Sequence, residues 1–390
     1  MTLIADPDAL AAFCARQAKA EFLAVDTEFM RDTTYWPKLC LAQVGGPDEV
    51  AAIDPLASDM DLTPLFELLK NNEVLKVFHS ARQDMEIFYL LMGGLPEPIF
   101  DTQVAAMVCG FGESVGYDTL ARKLSGARID KSSRFADWAR RPLKKRQVEY
   151  ALSDVIHLRP VFEKLKALLE SSGRTAWLDE EMAVLTAPET YQLLPETAWL
   201  RLKTRSGDRR YLAVLRALAA WREREAQRRD VPRNRVLRDE QLFDIAVHRP
   251  ESAEDLARTR GLSRDLAQGR IGRAILTAIA EGMAVPEAEC PTPPPRSERP
   301  AGLGPVVDLL KVLLKMKCET HEVAQKLVAS TADLEAIAAD DKAQVPALHG
   351  WRHEVFGRDA LALKHGELAL SVEGRTVRLV PSTPERAKAS

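Results

Sequence analysis

Residues 21–30 read EFLAVDTEFM, and this stretch decides the fold. Four mostly apolar residues, 22–25, run directly into two carboxylates, Asp26 and Glu28, which are two positions apart. In a β-strand, residues i and i+2 point to the same face, so these carboxylates would lie side by side. Two negative charges that close repel each other unless a cation or a proton lies between them. The stretch therefore predicts a buried strand that ends in a charged site.

Strand and helix patterns alternate over the first hundred residues. Helical spacing predicts a helix over Leu62–Lys70, and Ser80 is the expected N-cap of a further helix that ends at Gly93. Residues 101–171 are mainly helical in pattern. Short apolar or alternating segments predict strands at EFLAVDTEF, LCLAQV, EVAAID and VLKVFH. Strands followed by helices predict an α/β domain, in which a mixed sheet is flanked by helices.

The rest of the chain is helical in pattern. Residues 208–284 form a helical run, and residues 305–364 form another of similar size, so that diverged repeats are one interpretation. The segment PTPPPRSERP between them predicts an exposed linker. Near the end, LALSVEGRTVRLV alternates around Glu373-Gly374 and predicts a small β-hairpin.

Length and composition restrict the class of protein. A chain of 390 residues predicts two or three domains. The charged fraction of 28%, without an apolar run of the roughly 18–20 residues that span a bilayer, argues against a membrane protein. The N-terminus has no signal-peptide pattern. Five scattered cysteines without C-x-x-C predict free thiols in a reducing compartment, so the expected location is the cytoplasm.

Positive charge is concentrated in two segments. Residues 121–147 contain ten Lys/Arg and two Asp, and residues 199–235 contain twelve Lys/Arg and four acids. This distribution indicates a polyanionic ligand, although a solvated helix face is the more ordinary explanation of either segment alone. Within the second segment, Arg224 could also pair with an acid of its own helix, such as Glu225. The spacing otherwise predicts a basic helix face formed by Arg222, Arg224, Arg228 and Arg229.

Two further acids extend the set begun by the first strand. Asp84 follows His79 by five residues, and Asp154 follows Tyr150 by four. Residues i and i+4 share a helix face, so Tyr150 and Asp154 would reach toward one point. Carboxylates without Cys or His suit Mg²⁺ or Mn²⁺ rather than zinc. Two such ions can hold the attacking and leaving oxygens of a phosphoryl displacement, and the tyrosine could orient the attacking water.

In this order, Asp26-x-Glu28, Asp84 and Tyr150-x-x-x-Asp154 resemble the three exonuclease motifs of the DEDDy group of 3′→5′ exonucleases. Residues 206–285 resemble the helical nucleic-acid-binding domain called HRDC, and residues 305–365 resemble a more diverged copy. The resemblance covers nearly the whole chain. Longer segments resemble the ribonuclease D family: DTEFMRDTTYWPKLCLAQ, VFHSARQD, IFDTQVAA and RIDKSSRFADWARRPLKKRQVEYALSDV.

The resemblance implies a ribonuclease H-like exonuclease domain followed by two small all-α HRDC-like domains. The expected division is an exonuclease domain at 1–190, a first HRDC-like domain at 206–286, a Pro-rich linker at 287–304, a second HRDC-like domain with its hairpin at 305–380, and a flexible tail at 381–390.

The resemblance also implies an activity and its residues. The expected enzyme is a 3′→5′ exoribonuclease that trims tRNA precursors and other structured RNAs at a single-stranded 3′ end and releases 5′-mononucleotides. Two divalent ions, Mg²⁺ or Mn²⁺, are expected as cofactors, and Tyr150 is expected to position the water. We expect a monomer. The implied metal ligands are Asp26, Glu28, Asp84 and Asp154.

Contacts to the substrate are less sharply defined by the sequence. Phe29 could stack beneath the terminal base or belong to the core, and Leu39 could wedge between bases or pack the strand edge. His79 could contact substrate, or it could cap or pack the strand end. Asp101 follows a strand-like segment, and we interpret it as structural. The predicted substrate contacts are Thr27, Phe29, Leu39, Gln43, His79, Lys131, Arg134 and Arg141.

Two other functions are compatible with the pattern. One is a DNA 3′→5′ exonuclease, because sugar preference is set by ordinary polar groups that the sequence does not mark. The other is a catalytically inactive RNA-binding scaffold on a nuclease fold, of which a missing metal ligand would be the signature. All four acids and the tyrosine are present. The chain has no G-x-x-x-x-G-K-[ST] motif of a helicase.

Overall fold

The computed structural model describes residues 2–130, 132–204, 206–292 and 302–382. Its N-terminal part is built on six strands: β1 (Thr2–Ile4), β2 (Phe22–Met30), β3 (Lys38–Gly45), β4 (Val50–Ile53), β5 (Leu75–Phe78) and β6 (Ile99–Asp101). They form one sheet in the order β1-β4-β3-β2-β5-β6. β2 pairs antiparallel with β3 and parallel with β5, which confirms the predicted mixed sheet.

Helices cover both faces of this sheet: α1 (Pro7–Gln17), α2 (Thr63–Lys70), α3 (Arg82–Met92), α4 (Thr102–Val108), α5 (Tyr117–Ser125), α6 (Lys145–Ser172) and α7 (Asp179–Thr186). Leu23 and Val25 of β2 belong to a core cluster with residues of α1, α2 and α3. Ala24 lies in a different cluster, with Val155 and Leu158 of α6. Because strand side chains alternate, Asp26 follows Ala24 on the face that α6 covers.

The start of α3 differs from the prediction. Ser80 does not cap this helix with its side chain; it has a positive φ of 63°, and the cap residue is Ala81. The Asp101 carboxylate instead accepts hydrogen bonds from the backbone amides of Ser80 and Ala81 at 3.0 and 2.8 Å. It also accepts from the amide of Gln103 at the start of α4. Asp101 therefore stabilises two helix starts, which confirms its structural interpretation.

The sequence analysis did not predict several other secondary-structure features of this domain correctly. β1 and α1 were not predicted, and residues 126–144, expected to be mainly helical, contain no regular helix or strand where the structure describes them. β1 has only three residues, too few to show an alternating pattern. α1 begins after Asp6, whose carboxylate accepts from the amide of Ala9. An N-cap and a proline at the helix start were therefore the available signals.

The first helical domain contains α8 (Arg209–Arg229), α9 (Arg233–Val236), α10 (Asp239–His248), α11 (Ala253–Leu256), α12 (Arg264–Gln268) and α13 (Arg270–Ala284). Its core has no strand within the described residues, as predicted. α8 and α13 approach closely at Gly282, where a Cβ atom would lie only 2.6 Å from the Cα atom of Val214. A larger residue at Gly282 would therefore force the two helices apart.

The second helical domain contains α14 (Leu303–Thr320), α15 (Gln325–Val328), α16 (Thr331–Ala339), α17 (Gly350–Arg352), a π-helical turn (His353–Gly357) and α18 (Arg358–Lys364). The predicted hairpin is confirmed as β7 (Leu368–Glu373) and β8 (Thr376–Pro381). Most of the predicted linker and tail, residues 293–301 and 383–390, lies outside the described residues. No helix in the described ranges is both long and apolar enough to cross a bilayer.

The second helical domain shares a hydrophobic core with the exonuclease domain. One continuous cluster joins α4 and the C-terminal half of α6 to α14, α15, α16 and α18. Trp177 and Trp351 stack across this boundary, with ring centroids 4.2 Å apart and an interplanar angle of 6°. Arg352, which is 4% exposed, pairs with Glu180 and Glu181. These two parts of the chain therefore pack as one body.

The first helical domain meets the exonuclease domain through the loop between β2 and β3. Tyr35 is buried there, and its hydroxyl donates a hydrogen bond to the carboxylate of Glu223 on α8. Arg233 bonds the same carboxylate at 2.5 Å and lies over the Tyr35 ring, 4.7 Å from its centroid. The Asp230 carboxylate accepts from the backbone amides of Tyr35 and Trp36. This junction combines charged and polar contacts with a small apolar cluster of Tyr35, Ala226 and Val236.

The shared core predicts that a cavity in α14 destabilises the exonuclease domain. Leu313 is fully buried in the shared cluster, and Leu309 on the same helix is 47% exposed. We expect Leu313→Ala to lower the free energy of unfolding by about 2–5 kcal/mol, measured by denaturant titration. Hydrogen exchange should show lost protection in α4 and α6 as well as in α14. Leu309→Ala is the matched control, and protection lost only in α14 would contradict a common core.

Candidate active site

Three neighbouring strands end at one edge of the sheet and supply the first residues of the site. β2, β5 and β6 run parallel to one another, so the residues at their carboxyl ends lie at the same edge. Asp26 and Glu28 lie in the second half of β2, and the strand register shifts after Glu28. His79 directly follows β5. The sheet topology therefore brings together chain segments that are about 50 residues apart in sequence.

α6 adds two more side chains from above the sheet. Ala151, Leu152 and Val155 are buried against the strands, which fixes this helix across the end of β2. Tyr150 and Asp154 lie one turn apart on α6 and both line the pocket that forms here. Carboxylate oxygens of Asp26, Glu28 and Asp154 all lie within 4.8 Å of one another. The structure thus brings together three of the four predicted metal ligands.

Asp84 lies beside this group but outside the set of three. It is in the first turn of α3 and 7% exposed. Its Oδ1 atom accepts a hydrogen bond from the Thr27 hydroxyl at 2.5 Å. Its charge still acts on the cluster, because it contributes to the raised pKa of Glu28. Asp84 therefore belongs electrostatically to the site, although its carboxylate contacts Thr27.

Each acid of the site holds its proton more tightly than usual. Burial raises the pKa of Asp26 to about 6. Burial, followed by the charges of Asp26, Asp154 and Asp84, raises the pKa of Glu28 to about 10. Burial and the charge of Asp26 raise the pKa of Asp154 to about 8, and the pKa of Asp84 is also well above its usual value. The protein forces these carboxylates together at an electrostatic cost.

A divalent cation fits this set of donors. The cluster offers only carboxylate oxygens, which are the ligands that Mg²⁺ and Mn²⁺ prefer. A cation would replace the protons that the crowded acids otherwise retain and would remove their repulsion. The donor chemistry and the raised pKa values agree on this point.

Tyr150 is kept in its neutral form. Its ring lies 6.0 Å from that of Trp138, and the residue is half-buried. Burial, and then the charges of Asp154, Glu28 and Asp26, raise the pKa of its hydroxyl above the usual value. At neutral pH the group is therefore a hydroxyl and not a phenolate. It can orient a water molecule but is a poor nucleophile.

Several predicted substrate contacts do line the pocket. Thr27, His79 and Arg134 are among its lining residues. The ring of His79 is held by Thr102, whose hydroxyl lies 3.0 Å from the Nδ1 atom. His79 therefore packs against the strand end and also faces the pocket, so both interpretations of this residue agree with its position. Phe29 is half-buried on β2 and is not a lining residue, and Lys131 lies outside the described residues.

Three predicted substrate contacts have side chains that other groups enclose or bind in this structure, and they stay predictions. Gln43 is the strand partner of Asp26 and fully buried, and Leu39 is 5% exposed. Both side chains are therefore almost inaccessible in this structure. The Arg141 guanidinium bonds both carboxylate oxygens of Asp54, at 2.6 and 2.7 Å, and the carbonyl oxygen of Cys40. Arg141 therefore ties the loop before α6 to the sheet.

The predicted basic face on α8 is largely wrong. Arg222 is 4% exposed and pairs with Asp239 at 2.6 Å. Arg224 pairs with Glu196. Glu225 pairs with Arg228 and not with Arg224, for which the own-helix pair was considered. Ion pairs thus offset much of this charge, and only Arg222 is enclosed, because Arg224 and Arg228 stay more than half exposed.

Sequence analysis missed Tyr117. This residue lines the pocket, and its ring lies 5.3 Å from that of His79. Its hydroxyl donates a hydrogen bond to the backbone carbonyl of Asp154, which fixes the position of that ligand. Burial raises the pKa of Tyr117, so the hydroxyl stays protonated. No sequence spacing relates Tyr117 to the acids, and only the fold of α5 against α6 shows the contact. The other pocket residues that were missed are Ser80, Gln103, Gly116, Asp118, Ile129 and Leu158.

Comparison with known proteins shows to which family the chain belongs. Residues 1–170 match the 3′-5′ exonuclease family, and residues 211–279 match the HRDC domain family. Ribonuclease D of Granulibacter bethesdensis is 53% identical over 380 residues, which cover 97% of this chain and 96% of that protein. The chain belongs to the ribonuclease D family. Ribonuclease D of Nitrobacter hamburgensis is 52% identical, with coverage of 97% and 99%.

The structural comparison agrees. The crystal structure of Escherichia coli RNase D, an exoribonuclease involved in structured RNA processing, matches with a TM-score of 0.82 at 32% identity. The match covers 93% of this chain and 99% of that one. The present chain is thus a ribonuclease D-type 3′→5′ exonuclease with an exonuclease domain and a C-terminal HRDC region. Exonucleases of this type use divalent metal ions, and the carboxylate cluster suits them. The match to the HRDC family covers the first helical domain, and a second HRDC copy stays a prediction.

The raised pKa values predict how the metal-free protein responds to pH. For Asp154, a folded-state pKa of about 8 lies above the unfolded value, so the folded state binds more protons and stability falls between about pH 4 and pH 8. In EDTA, Asp154→Asn should therefore be more stable than wild type at pH 8, by on the order of 1–3 kcal/mol. This gain should shrink toward pH 4. Thermal unfolding measures it, with Glu67→Gln on the exposed face of α2 as the control. A pH-independent difference would contradict the electrostatic cause.

Proposed function

We propose that this enzyme trims the 3′ ends of tRNA precursors and other structured RNAs and releases 5′-mononucleotides. The observation that supports the proposal best is the group formed by Asp26, Glu28 and Asp154, with carboxylate oxygens within 4.8 Å, beside the protonated Tyr150. The family supplies the exoribonuclease activity and the direction of degradation. Escherichia coli RNase D, similar to this chain over nearly its whole length, is involved in structured RNA processing, which supports structured RNA as the substrate class.

We further propose that Asp26, Glu28, Asp84 and Asp154 hold two divalent ions, Mg²⁺ or Mn²⁺. Two such ions supply charge stabilisation on both sides of the phosphate that is cleaved. Asp84 can take part because Thr27 occupies only its Oδ1 atom, which leaves the other carboxylate oxygen available. The Thr27 hydroxyl then holds this carboxylate in a fixed orientation.

Tyr150 would orient the attacking water. Its hydroxyl is protonated at neutral pH and lies among the lining residues with Asp154, one helical turn away. A hydroxyl in this position can both accept and donate a hydrogen bond, which restricts the direction of a water molecule without forming a covalent bond to the substrate. The Tyr117 hydroxyl, through the carbonyl of Asp154, keeps the helix that carries both residues in place.

The pocket would receive the 3′-terminal nucleotide. Acidic residues lie on one side, and Arg134, His79 and Gln103 also line it. The pocket has a volume of about 380 Å³, which is in the range of sites for small ligands. The positive charge of the Arg134 guanidinium would offset the negative charge of a phosphate that approaches the acids. A cytoplasmic location and a monomeric state stay predictions of the sequence.

Loss of a proposed metal-binding carboxylate and loss of the Tyr150 hydroxyl should reduce activity to different extents. We expect Asp26→Asn to abolish degradation, because the cluster then loses one of its central charges. Tyr150→Phe should slow it about 10²-fold, because one preorganised hydrogen bond is lost. The measurement is the 3′ shortening of a tRNA precursor labelled at its 5′ end, with Mg²⁺, Mn²⁺ or EDTA. Tyr89→Phe, away from the pocket on α3, serves as a tyrosine control.

The same experiment separates the other functions. Equal shortening of a DNA strand of matching sequence would support an exonuclease that does not distinguish the sugar. Tight RNA binding without shortening in either metal would support an RNA-binding scaffold and contradict the proposal. Unchanged activity of Asp26→Asn would show that the carboxylate cluster is not the reaction site.

Metal affinity should depend on pH. The pKa values of about 6 for Asp26 and about 8 for Asp154 mean that protons compete with the cation at neutral pH. Deprotonation must precede binding, so the half-saturating Mn²⁺ concentration should fall as the pH rises from about 6 to about 8.5, by up to about tenfold per unit. Calorimetry or the free Mn²⁺ signal in electron paramagnetic resonance measures this without turnover. A half-saturating concentration that stays constant over this range would contradict the raised pKa values.

A further inference from the structure

Phe135 is unusually exposed for a large apolar side chain. It is 93% exposed, more than any other exposed large hydrophobic residue of the described chain. The next highest value is 73%, for Val372 in the terminal hairpin. Phe135 lies in the irregular segment between α5 and α6 and packs into none of the core clusters. Its apolar surface therefore contributes almost nothing to folding and is available to a ligand.

Phe135 lies next to Arg134, and the position of Arg134 indicates that Phe135 lies at the entrance of the pocket. Arg134 lines the catalytic pocket, and its guanidinium carbon lies 5.4 Å from the centre of the Phe135 ring. Arg134 also lies near the catalytic tyrosine: the pKa of Tyr150, raised mainly by burial, is partly held down by the Arg134 charge. The aromatic ring is therefore next to a cation that faces the carboxylate cluster.

The charge around this ring suits a nucleic-acid strand. Arg128, Arg140 and Lys144 are exposed in the same segment. Among the described residues, none of these three forms an ion pair, and Arg134 forms none either, whereas Arg146 pairs with Asp130. Free cations beside an exposed aromatic ring are the features of a single-strand platform, in which bases stack on the ring and cations contact phosphates.

We propose that Phe135 and Arg134 form a clamp on RNA, in which the Phe135 ring stacks on a base close to the 3′-terminal nucleotide and Arg134 contacts the adjacent phosphate. The inference rests on the proposed function, because it takes an RNA 3′ end as the occupant of the pocket. Stacking accepts any base, since every base has an aromatic face. The clamp therefore adds affinity for single-stranded RNA at the entrance without adding sequence specificity.

The experiment measures RNA binding separately from cleavage. The dissociation constant of a labelled single-stranded RNA is determined in EDTA for wild type, Phe135→Ala, Phe135→Trp and Val372→Ala. We expect Phe135→Ala to weaken binding about 5- to 150-fold, the range that stacking of one base supplies. Phe135→Trp should retain binding, and its added fluorescence should be quenched by RNA. Val372→Ala removes another exposed apolar side chain far along the chain and should have no effect.

RNAs with an abasic nucleotide identify the stacked base. One base is removed at each of the last few positions in turn, and each RNA is measured with wild type and Phe135→Ala. With the base missing at one particular position, Phe135→Ala should no longer weaken RNA binding, because the base that the ring contacts is already absent. The melting temperature of Phe135→Ala should equal that of wild type, since the side chain is not packed.

Two outcomes would overturn the clamp. One is a dissociation constant that Phe135→Ala changes by less than about twofold. The other is an equal loss with every abasic RNA, which would indicate a nonspecific effect or a surface for another kind of partner. Neither outcome touches the proposed function, which depends on metal-dependent shortening by the wild-type enzyme. Conversely, absence of shortening would not remove a base-specific effect of Phe135 on binding.

Discussion

Repulsion between buried carboxylates is the constraint on which the structure of this enzyme depends. Asp26 and Glu28 share a face of a central strand, and Asp154 approaches them from α6, with oxygens that lie within 4.8 Å. Isolated acids in such positions would move apart or keep their protons. They stay together because apolar packing fixes both elements: the strand is paired on both sides, and the helix is buried along its length. Hydrophobic contacts thus maintain a group of acids whose repulsion is relieved by retained protons or by a bound cation.

The sequence predicted the elements of the site whose spacing is local. Asp26 and Glu28 follow the two-residue period of a strand, and Tyr150 and Asp154 follow the four-residue period of a helix, so each pair could be placed on one face. The family resemblance then joined these pairs. Tyr117 could not be found in this way, since its bond to the backbone of Asp154 depends on the packing of α5 against α6 and follows no spacing.

The differences between prediction and structure have a common physical cause. Arg141 and Arg222 were interpreted from local charge, but their partners, Asp54 and Asp239, lie on other elements and are brought near by the fold. A count of charges shows how many cations a segment has and not how many are already paired. Gln43 has the same difficulty in another form: its polar side chain suggested a substrate contact, but its place beside Asp26 in the sheet encloses it. Ser80 is a residue type that commonly caps helices. In this structure, however, the Asp101 carboxylate on the next strand accepts the hydrogen bonds from the amides at the start of α3.

The two helical domains join the catalytic domain through apolar contacts of very different extent, and this difference bears on how easily each domain could separate from it. The junction at Tyr35 and Glu223 combines ion pairs and hydrogen bonds with an apolar cluster of only three buried residues. Separation of this domain would therefore expose little apolar surface to water. The second helical domain contributes Leu310, Leu313 and Phe356 to a core that also contains Val161 and Leu165 of the catalytic domain. Separation of that domain would open the core of the catalytic domain to water, so these two parts are expected to unfold together.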